Sequence, residues 1–408
     1  MKRFVIIGNG GAALSALRAI RTVTATEPVT VISQEDCPAY SPALTTYYLR
    51  GKIPYRRMFL CSPGFYRRYR VAPLLGKRAV AIEPGQQRVV LEDGETVPYD
   101  RLLIATGSRH LLPPIPGREH ALTLWTVREA RLLKESTRKA KHIAIVGAGL
   151  IGLQILDALY QPGRRITLVE MLPQVLPRVL DRGASRMVET SLLKAGIALR
   201  LGETVAEISD EGSLKEIRLG SGERVKAEVV VLSTGVVPNT EVVVGSGVAV
   251  DQGVVVDESG RTNLEQIYAA GDVAQAPDCA TGRSQVNATW PNALQGGWIA
   301  GLNMAGQPAA RPHNVRANIL TVLGLPLVSL GQVHPGAEDE ESIRHADGSY
   351  RKLVFRRGQV VGTILVGEVA EVGLLASGMA RGGFFPNGGS ALLEYFRPLA
   401  GLYAPVPG

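Results

Sequence analysis

Two glycine clusters, at residues 8–13 and 147–152, have the residue types and spacing to bind phosphate groups. Gly8-Asn9-Gly10-Gly11-Ala12-Ala13 fits G-x-G-x-x-A, and Gly147-Ala148-Gly149-Leu150-Ile151-Gly152 is a complete G-x-G-x-x-G. The first glycine allows a tight turn, the second lets the backbone approach a pyrophosphate, and the small third residue packs a helix against a strand. The N-terminus of the following helix favours negative charge. Each cluster is therefore predicted to bind a dinucleotide.

A carboxylate after the second strand of each unit would bind a ribose hydroxyl. Glu170 closes that strand in the second unit, where it would accept from a 2′-hydroxyl and repel a 2′-phosphate. This predicts NADH over NADPH, although Arg178 and Arg182 follow. In the first unit Ser33 and Gln34 occupy the expected place, so Glu35 is the preferred ribose ligand, with Asp36 as the alternative.

The hydrophobic pattern predicts the elements that position these clusters. Residues 3–8, 10–22 and 29–33 have the pattern of strand, helix and strand, and residues 143–147, 149–160 and 166–170 repeat it. A hairpin that feeds a strand follows each unit, at 86–107 and 214–235. Beyond residue 315, a hairpin at 350–368 precedes a helical pattern. The sequence predicts an α/β protein with two Rossmann-like domains and a C-terminal α+β domain.

Composition excludes several classes of protein. The chain has 408 residues, of which 45% are hydrophobic, and contains no apolar run long enough to span a membrane. The start "MKRFVIIGNGG" resembles a signal peptide, but glycines follow Phe4–Ile7, which favours a first strand and a cytoplasmic protein. Cys37, Cys61 and Cys279 form no C-x-x-C, and no histidines are paired at i,i+4. We therefore expect no metal site.

The net charge of +8 is carried by the first 110 residues. Between Asp36 and Glu83 there is no acidic residue, but there are nine basic ones: Arg50, Lys52, Arg56, Arg57, Arg67, Arg68, Arg70, Lys77 and Arg78. Such a field steers an acidic partner; a solvated helix face is the alternative. The interleaved aromatics of "FYRRYR" would also suit RNA, but we expect no nucleic acid because the rest of the chain indicates a redox cofactor.

Four further stretches resemble a known family. "RLLIATGSR" (101–109) and "TNLEQIYAAGDVAQ" (262–275) resemble the second and third FAD signatures of the pyridine nucleotide–disulfide oxidoreductase family. "STGVVPNTE" (233–241) resembles the closing strand of its NAD domain. "WPNALQGGWIAGLNMAG" (290–306) and the segment after 315 resemble the subgroup of rubredoxin and ferredoxin reductases and the flavin domain of assimilatory nitrite reductases.

The resemblance implies FAD and NAD(H) as cofactors and a division into three domains. Residues 1–112 and 236–315 would form the FAD domain, 113–235 the NAD domain and 316–408 the C-terminal domain. The implied FAD residues are Gly8, Gly10, Gly11, Ala12, Ala13, Glu35, Pro42, Val80, Ala105, Thr106, Gly107, Gly271, Asp272 and Gln295. The implied NAD residues are Gly147, Gly149, Ile151, Gly152, Glu170 and Gly235.

The resemblance also implies a role for several of these residues. Asp272 would accept hydrogen bonds from the ribityl chain, and the main chain of Val80 would contact the adenine. The helix after Pro291 would direct its first amides at the flavin pyrimidine edge, where positive charge stabilises a reduced flavin. Core packing is the alternative for Trp290 and Trp298, and a buried strand position is the alternative for Val80.

A redox cysteine is missing from the helix that would face the flavin. Aligned on Tyr47-Tyr48, Ala43 occupies the place of the single cysteine of coenzyme A disulfide and persulfide reductases. The paired C-x-x-x-x-C of glutathione-type enzymes is absent too, and Cys37 should lie on the approach loop. Sulfur is therefore not the expected electron acceptor.

Thr46 and Gln154 stand where many relatives pair a lysine with a glutamate near the flavin. Losing one partner alone would strand a buried charge at a cost of roughly 3–5 kcal/mol. Losing both leaves a neutral, hydrogen-bonding pair. We expect Thr46 and Gln154 to occupy the catalytic positions.

These features predict an FAD oxidoreductase that moves electrons between NAD(H) and an acidic electron-transfer protein or an iron–sulfur subunit, docked at Arg50–Arg78. A thiol, persulfide or disulfide reductase using Cys37 or Cys61, a flavoprotein without enzymatic activity, and a small-molecule oxidase or quinone reductase are alternatives. An NADH-handling subunit of a 2-oxoacid oxidoreductase is another. The aromatic tail 394–408 is either a subunit contact or a loose terminus, and homo- and hetero-oligomers both stay open.

Overall fold

The structure is a computed structural model that describes residues 1–62, 64–278, 282–310, 315–346 and 348–380. Cys279 and the tail 394–408 lie outside the described residues. Along the described part of the chain, no helix combines the length and the apolar character that crossing a membrane requires.

The N-terminal region forms four strands of a five-stranded parallel sheet, with a small antiparallel sheet beside it. Its strands are β1 (Phe4–Ile7), β2 (Val29–Ser33), β3 (Val71–Leu75), β4 (Ala79–Glu83), β5 (Arg88–Leu91), β6 (Thr96–Pro98), β7 (Arg101–Ile104) and β8 (Ser108–His110). Its helices are α1 (Gly11–Val23), α2 (Thr45–Leu49) and α3 (Phe65–Arg68), with 3₁₀ turns at Pro42–Leu44, Tyr55–Met58 and Pro84–Gln86. β1 is buried throughout because a parallel sheet is covered on both faces. It is the first strand predicted from the sequence.

The second region repeats this plan. It contains α4 (Val127–Thr137), β9 (His142–Val146), α5 (Leu150–Leu159), β10 (Arg165–Glu170), α6 (Arg182–Lys194), β11 (Ala198–Leu201), β12 (Val205–Asp210), β13 (Lys215–Leu219), β14 (Arg224–Ala227) and β15 (Val229–Leu232), with a 3₁₀ turn at Arg118–His120. The parallel sheet has the order β11-β10-β9-β15, and β12-β13-β14 form an antiparallel sheet. The predicted duplication of the fold is confirmed.

The chain then returns to the first sheet. The elements are β16 (Val236–Pro238), a 3₁₀ turn (Glu241–Val243), β17 (Val254–Val255), β18 (Ile267–Ala269), β19 (Ala274–Asp278), β20 (Arg283–Val286) and α7 (Trp290–Met304). β18 completes the first sheet in the order β18-β7-β1-β2-β3, and β8 pairs with β16 where the chain crosses between the two units. Gly297 and Gly301 of α7 pack on the backbone of α1, where a side-chain Cβ would lie 2.1 and 2.4 Å from carbonyl oxygens.

The C-terminal region is an antiparallel sheet covered by a helix. It contains β21 (Ala317–Val322), β22 (Leu325–Gly331), β23 (Glu340–Ala346), β24 (Ser349–Arg356), β25 (Gln359–Val366) and α8 (Val372–Ala380). The strand order is β21-β22-β25-β24-β23. Tyr350 and Ile364 share one hydrophobic cluster with Leu180 of the second unit. The C-terminal sheet therefore packs against the second unit, and the predicted α/β class with an added α+β region is confirmed.

Candidate functional site

One cavity of about 1290 Å³ is lined by both glycine turns. Most of the residues predicted to bind cofactors or to act in catalysis line it. They are Gly8, Gly10, Gly11, Ala12, Glu35, Pro42, Thr46, Ala105, Thr106, Gly107, Gly147, Gly149, Ile151, Gln154, Glu170, Gly235, Gly271 and Asp272. Residues from both units of the fold are thus brought to a single space.

The first glycine turn has the geometry of a phosphate cradle. Gly8 has φ +119°, and a Cβ there would lie 2.0 Å from the carbonyl oxygen of Ala105, so only glycine fits. A Cβ at Gly10 would meet nothing within 4 Å, which leaves the backbone open to the cavity. α1 begins at Gly11 and presents its N-terminus there.

The second turn repeats this geometry with glycine at all three places. Gly147 has φ +106° and approaches the carbonyl oxygen of Ser233, while a Cβ at Gly149 would again meet nothing within 4 Å. A Cβ at Gly152 would lie 1.9 Å from the carbonyl oxygen of Gly147. In each turn, close packing surrounds a backbone segment whose open side faces the cavity, which fits a bound dinucleotide.

Four of the predicted residues do not line the cavity. Ala13 and Gly152 are third-position residues that pack the helix on the strand. Val80 is 40% exposed, so the buried-strand alternative was wrong, and its neighbour Ala79 lines the cavity. The register of β4 shifts between Ala79 and Ala81, at Val80. Gln295 lies on α7, whose residues Trp290 and Ala293 line the cavity instead.

The two tryptophans have different environments. The ring of Trp290 packs on Gly11, where any Cβ would lie 2.8 Å from it, and it lines the cavity at the start of α7. Trp290 therefore both packs against the first glycine turn and forms part of the cavity wall. Trp298 is 40% exposed, so the core-packing alternative was wrong for it.

Each of the three predicted acids is held by nearby donors. Glu170 accepts from the amides of Ala148, at 2.7 Å, and Leu172, at 2.9 Å, and so is oriented by the second glycine turn. Asp272 accepts from the Ser108 hydroxyl at 2.8 Å, and burial raises its pKa. Glu35 is discussed with its partner below. Each retains oxygen lone pairs for hydroxyl donors of a ligand.

Thr46 and Gln154 reach the same cavity from α2 and α5, which contact one another. Thr46 donates only a long hydrogen bond, 3.4 Å, to the carbonyl of Ala43. Ala43 also lines the cavity. The 3₁₀ turn Pro42–Leu44 and α2 therefore present the methyl group of Ala43 and the hydroxyl of Thr46 to the cavity.

The two described cysteines are free thiols in different places. Cys37 lines the cavity, and burial, together with Glu35 and Asp36, raises its pKa to about 11. Cys61 is buried outside the cavity lining, and burial raises its pKa as well. A thiol with a raised pKa is a poor nucleophile at neutral pH. The described residues include no group of three His, Cys, Asp or Glu able to hold a metal ion.

Two cavity-lining residues that the sequence analysis missed carry buried polar atoms without a partner among the described residues. The residues are His110, with its atom Nδ1, and Arg316, with its atom Nε. Burial lowers the pKa of Arg316, as does the nearby Arg178. Unpaired buried donors and acceptors are uncommon, so both fit contact with a polar ligand. His110 directly follows the stretch 101–109, whose residues 105–109 line the cavity, so that stretch could have indicated it. Nothing in the local sequence marks Arg316, which reaches the cavity through packing of distant elements.

The basic segment 50–78 is partly neutralised. Arg50 forms an ion pair with Asp157, Lys77 with Asp93 and Glu95, and Arg78 with Glu92. The remaining cations are exposed, and no acidic partner is found for them among the described residues: Lys52, Arg56, Arg57, Arg67, Arg68 and Arg70. The unpaired charge thus runs from 52 to 70, directly after α2.

Comparison with known proteins identifies close similarities over nearly the whole chain. The family model described as pyridine nucleotide-disulphide oxidoreductase matches residues 2–297, and that of the rubredoxin NAD⁺ reductase C-terminal domain matches 317–382. The epsilon subunit of NADH-dependent phenylglyoxylate dehydrogenase from Aromatoleum evansii is 31% identical, over 93% of this chain and 91% of that subunit. The ferredoxin–NAD⁺ reductase component of an anthranilate 1,2-dioxygenase system from Burkholderia cepacia is 33% identical, over 74% of this chain and 75% of that component.

Among solved structures, a NAD-dependent persulfide reductase from A. fulgidus is similar with a TM-score of 0.87. It is 27% identical and is matched over 93% of this chain and 77% of that one. The similarity therefore reaches proteins named for electron carriers and a protein named for a persulfide substrate.

Proposed function

The chain belongs to the pyridine nucleotide-disulphide oxidoreductase family, and from this premise we propose that it transfers electrons between NAD(H) and a protein electron carrier or a partner iron–sulfur subunit. FAD would bind at the first glycine turn and NAD(H) at the second. The observation that carries the proposal is the single cavity lined by both turns. A nicotinamide and a flavin must meet for hydride transfer, and one shared cavity allows this.

FAD, when bound, supplies the step from a two-electron hydride to single electrons. The residues of the chain hold and orient it. Asp272, with Ser108 on one oxygen, would accept from the ribityl chain, and Glu35 from the adenosine ribose. The N-terminus of α7 at Trp290 lines the cavity and places partial positive charge there, which stabilises a reduced, negatively charged ring.

Transfer to a protein rather than to sulfur is supported by the residues around Ala43. Thr46 and Gln154 are uncharged, and we propose that they occupy the catalytic positions as a neutral pair. Cys37 reaches the cavity, but its raised pKa keeps it protonated at neutral pH. The persulfide reductase alternative, which the A. fulgidus relative suggests, would need this thiol as a thiolate.

We propose that the carrier is acidic and docks on the unpaired basic segment 52–70. This segment follows α2, whose residue Thr46 lines the cavity, and Tyr66 within it donates to Asn9 of the first glycine turn at 2.9 Å. A negatively charged carrier seated here would contact a segment that is hydrogen-bonded to the cavity-lining residue Asn9. Electrostatic complementarity of this kind raises association rates and is screened by salt.

NADH is proposed as the preferred nicotinamide, because Glu170 is held facing the cavity by two backbone amides. A carboxylate there repels a 2′-phosphate. Arg178 also lines the cavity and reduces this discrimination. The free thiols of Cys37 and Cys61 are typical of a reducing compartment and support a cytoplasmic location.

Anaerobic titration with NADH tests the first half of the proposal. Bleaching of the visible flavin absorbance by one equivalent of NADH is expected, and no bleaching would leave only a binding protein. A rubredoxin and an acidic two-iron ferredoxin, added to the reduced protein, then test electron delivery. Reoxidation of the flavin with reduction of either carrier supports the proposal, and reoxidation only by a disulfide or persulfide would favour the thiol alternative.

A second candidate is a subunit that exchanges electrons within a larger 2-oxoacid oxidoreductase. The match to the A. evansii subunit spans nearly the full length of both chains, which favours it. The cavity and basic segment would serve a bound iron–sulfur subunit as they serve a diffusing carrier. Purification of the chain from its source under mild conditions distinguishes the two: stoichiometric iron–sulfur partners indicate the subunit, and an isolated chain indicates the carrier reductase.

A further inference from the structure

The loop 171–181, between β10 and α6, is a wall of the nicotinamide side of the cavity. It follows Glu170, and Met171, Leu172, Leu176, Pro177, Arg178 and Val179 line the cavity. Leu176 is fully buried and has φ +51°, a left-handed conformation that a leucine adopts only when its surroundings impose it. Its amide donates to the carbonyl of Ala148 in the second glycine turn, at 2.9 Å. The loop therefore depends on contacts outside itself.

The first turns of α6 supply one set of those contacts. Ser185 donates to the carbonyl of Val175 at 2.8 Å, and Glu189 accepts from the amide of Val175 at 3.3 Å. Arg182 donates to the carbonyl of Pro173 at 2.8 Å. Asp181, the last loop residue, is the N-cap of α6 and accepts from the amide of Ala184 at 3.0 Å. The loop and the start of α6 thus form one unit, with Asp181 at the junction between them.

The C-terminal sheet holds this unit from the other side. The Tyr350 hydroxyl donates to the Asp181 carboxylate, and Nζ of Lys352 lies 3.1 Å from the same carboxylate. Both side chains belong to β24 and are almost fully buried, 1% exposed for Tyr350 and 3% for Lys352. The ring of Tyr350 lies so close to Gly183 that a Cβ there would be 2.8 Å from it.

A buried lysine is retained only where carboxylates compensate for lost hydration. Lys352 has two, Asp181 and Glu341, the latter at 2.8 Å. Burial raises the pKa of Asp181, but the Ala184 amide, Tyr350 and Lys352 outweigh burial and bring that pKa below its ordinary value. The carboxylate is therefore ionised and fixed at neutral pH, with one contact to the helix and two to the C-terminal sheet.

We propose that Tyr350 and Lys352 are positioning residues for the nicotinamide nucleotide: by holding Asp181 they keep loop 171–181 in the conformation that binds NAD(H). The proposal rests on the function proposed above, because it takes the second glycine turn as the NAD(H) site. It assigns the C-terminal sheet a part in binding a nucleotide that none of its strands is expected to touch.

The test is equilibrium binding of NAD⁺ to the oxidised, FAD-loaded full chain by isothermal titration calorimetry. Tyr350→Phe and Lys352→Met are each expected to raise the NAD⁺ dissociation constant by about fivefold, with the FAD content per chain unchanged. Asp181→Asn, which keeps a good N-cap for α6 but removes the charge, should do the same. The matched control is Lys226→Met on β14, which removes an exposed lysine that pairs with Glu211 and Glu216 and should leave NAD⁺ binding as in the parent.

Two outcomes overturn the proposal. One is NAD⁺ binding within twofold of the parent in both Tyr350→Phe and Asp181→Asn. The other is parallel loss of FAD content and of the melting midpoint in Tyr350→Phe, which is what general structural support would produce. If the parent itself binds no NAD⁺, the proposed function fails first, and this result is distinct from a failure of the variants.

Discussion

The hydroxyl of Tyr40 donates to the carboxylate of Glu35, 3.1 Å from one oxygen and 3.0 Å from the other. Both residues line the cavity beside the first glycine turn. Burial raises the pKa of Glu35; the bond from Tyr40 lowers it, and the charges of Glu129 and Asp36 raise it further. A carboxylate that stays partly buried although burial raises its pKa indicates a residue retained for a ligand rather than for stability.

Glu35→Gln should therefore make the protein more stable and bind FAD less well. A raised folded-state pKa means that the folded chain binds more protons than the unfolded one, so stability falls as pH rises from the ordinary pKa of about 4.3 through the raised value. Glutamine does not titrate, so the Glu35→Gln variant does not lose stability in this way as pH rises. Its apoprotein should melt higher than the parent apoprotein at pH 7, with the difference vanishing near pH 4, as measured by calorimetry.

In the same variant, FAD should dissociate more readily because the ribose loses a charged acceptor. Flavin fluorescence on dilution measures this loss. Tyr40→Phe serves as the control, since it keeps the carboxylate and removes only its donor. A glutamine variant that retains FAD as the parent does would contradict the assignment of Glu35, and Asp36 would become the candidate.

The two glycines of the first turn should respond differently to alanine. Gly10→Ala adds a Cβ that meets nothing within 4 Å, so the chain should fold normally, but the methyl group would occupy space needed by a pyrophosphate. Gly8→Ala places a Cβ 2.0 Å from the Ala105 carbonyl oxygen at φ +119°, so the fold itself should be destabilised. Melting curves and FAD content of both variants measure the contrast. Normal FAD content in Gly10→Ala would argue against the cradle.

Cys37 should be slow to react with iodoacetamide. With a pKa of about 11, its thiolate fraction at pH 8 is about two orders of magnitude below that of a free cysteine. The rate should rise with pH until about 11, as followed by mass spectrometry, with the urea-unfolded chain as the reference.

The variant with Cys37→Ser and Cys61→Ser should keep NADH-dependent reduction of a carrier. Loss of that activity would instead support the alternative of a thiol, persulfide or disulfide reductase that uses Cys37 or Cys61.

Arg57→Glu should slow reduction of an acidic carrier at low salt, by about tenfold in kcat/KM for the carrier. The reason is that Arg57 is exposed and has no acidic partner among the described residues. Arg218→Glu, an equal change of net charge on β13, is the control and should have little effect. Raising the ionic strength should bring parent and Arg57→Glu together. Equal rates for the parent and Arg57→Glu at every salt concentration would place docking elsewhere.

Glu170→Ala should shift the nicotinamide preference toward NADPH. The variant loses the carboxylate that would repel a 2′-phosphate, while Arg178 still lines the cavity. The ratio of kcat/KM for NADH to that for NADPH, measured with ferricyanide as acceptor, should fall by at least about tenfold. FAD content is the control. An unchanged ratio would mean that Glu170 serves only to bind the amides of Ala148 and Leu172.

The amino-acid sequence alone determined the two glycine turns, the duplicated fold and the acids that follow the second strands. These features are local: a strand, a turn and a helix place Gly8 and Gly10, or Gly147 and Gly149, within a few residues of one another. Sterics within the chain require glycine at Gly8 and Gly147, and an open approach for a pyrophosphate favours it at Gly10 and Gly149. The family resemblance rests on further short stretches, among them 101–109 and 262–275, and the family models confirm it.

Only the tertiary structure decided which residues meet across the chain. Arg50 forms an ion pair with Asp157, and Lys352 of β24 forms one with Asp181. Arg316, at the start of the C-terminal sheet, lines the cavity together with residues of the other two units. None of these residues is close in sequence to those it meets, and no periodicity predicts the contacts. Their positions follow from the packing of the three units against one another. This packing is set by the free-energy minimum of the whole chain, through burial and hydrogen bonding, and no short stretch of sequence encodes it.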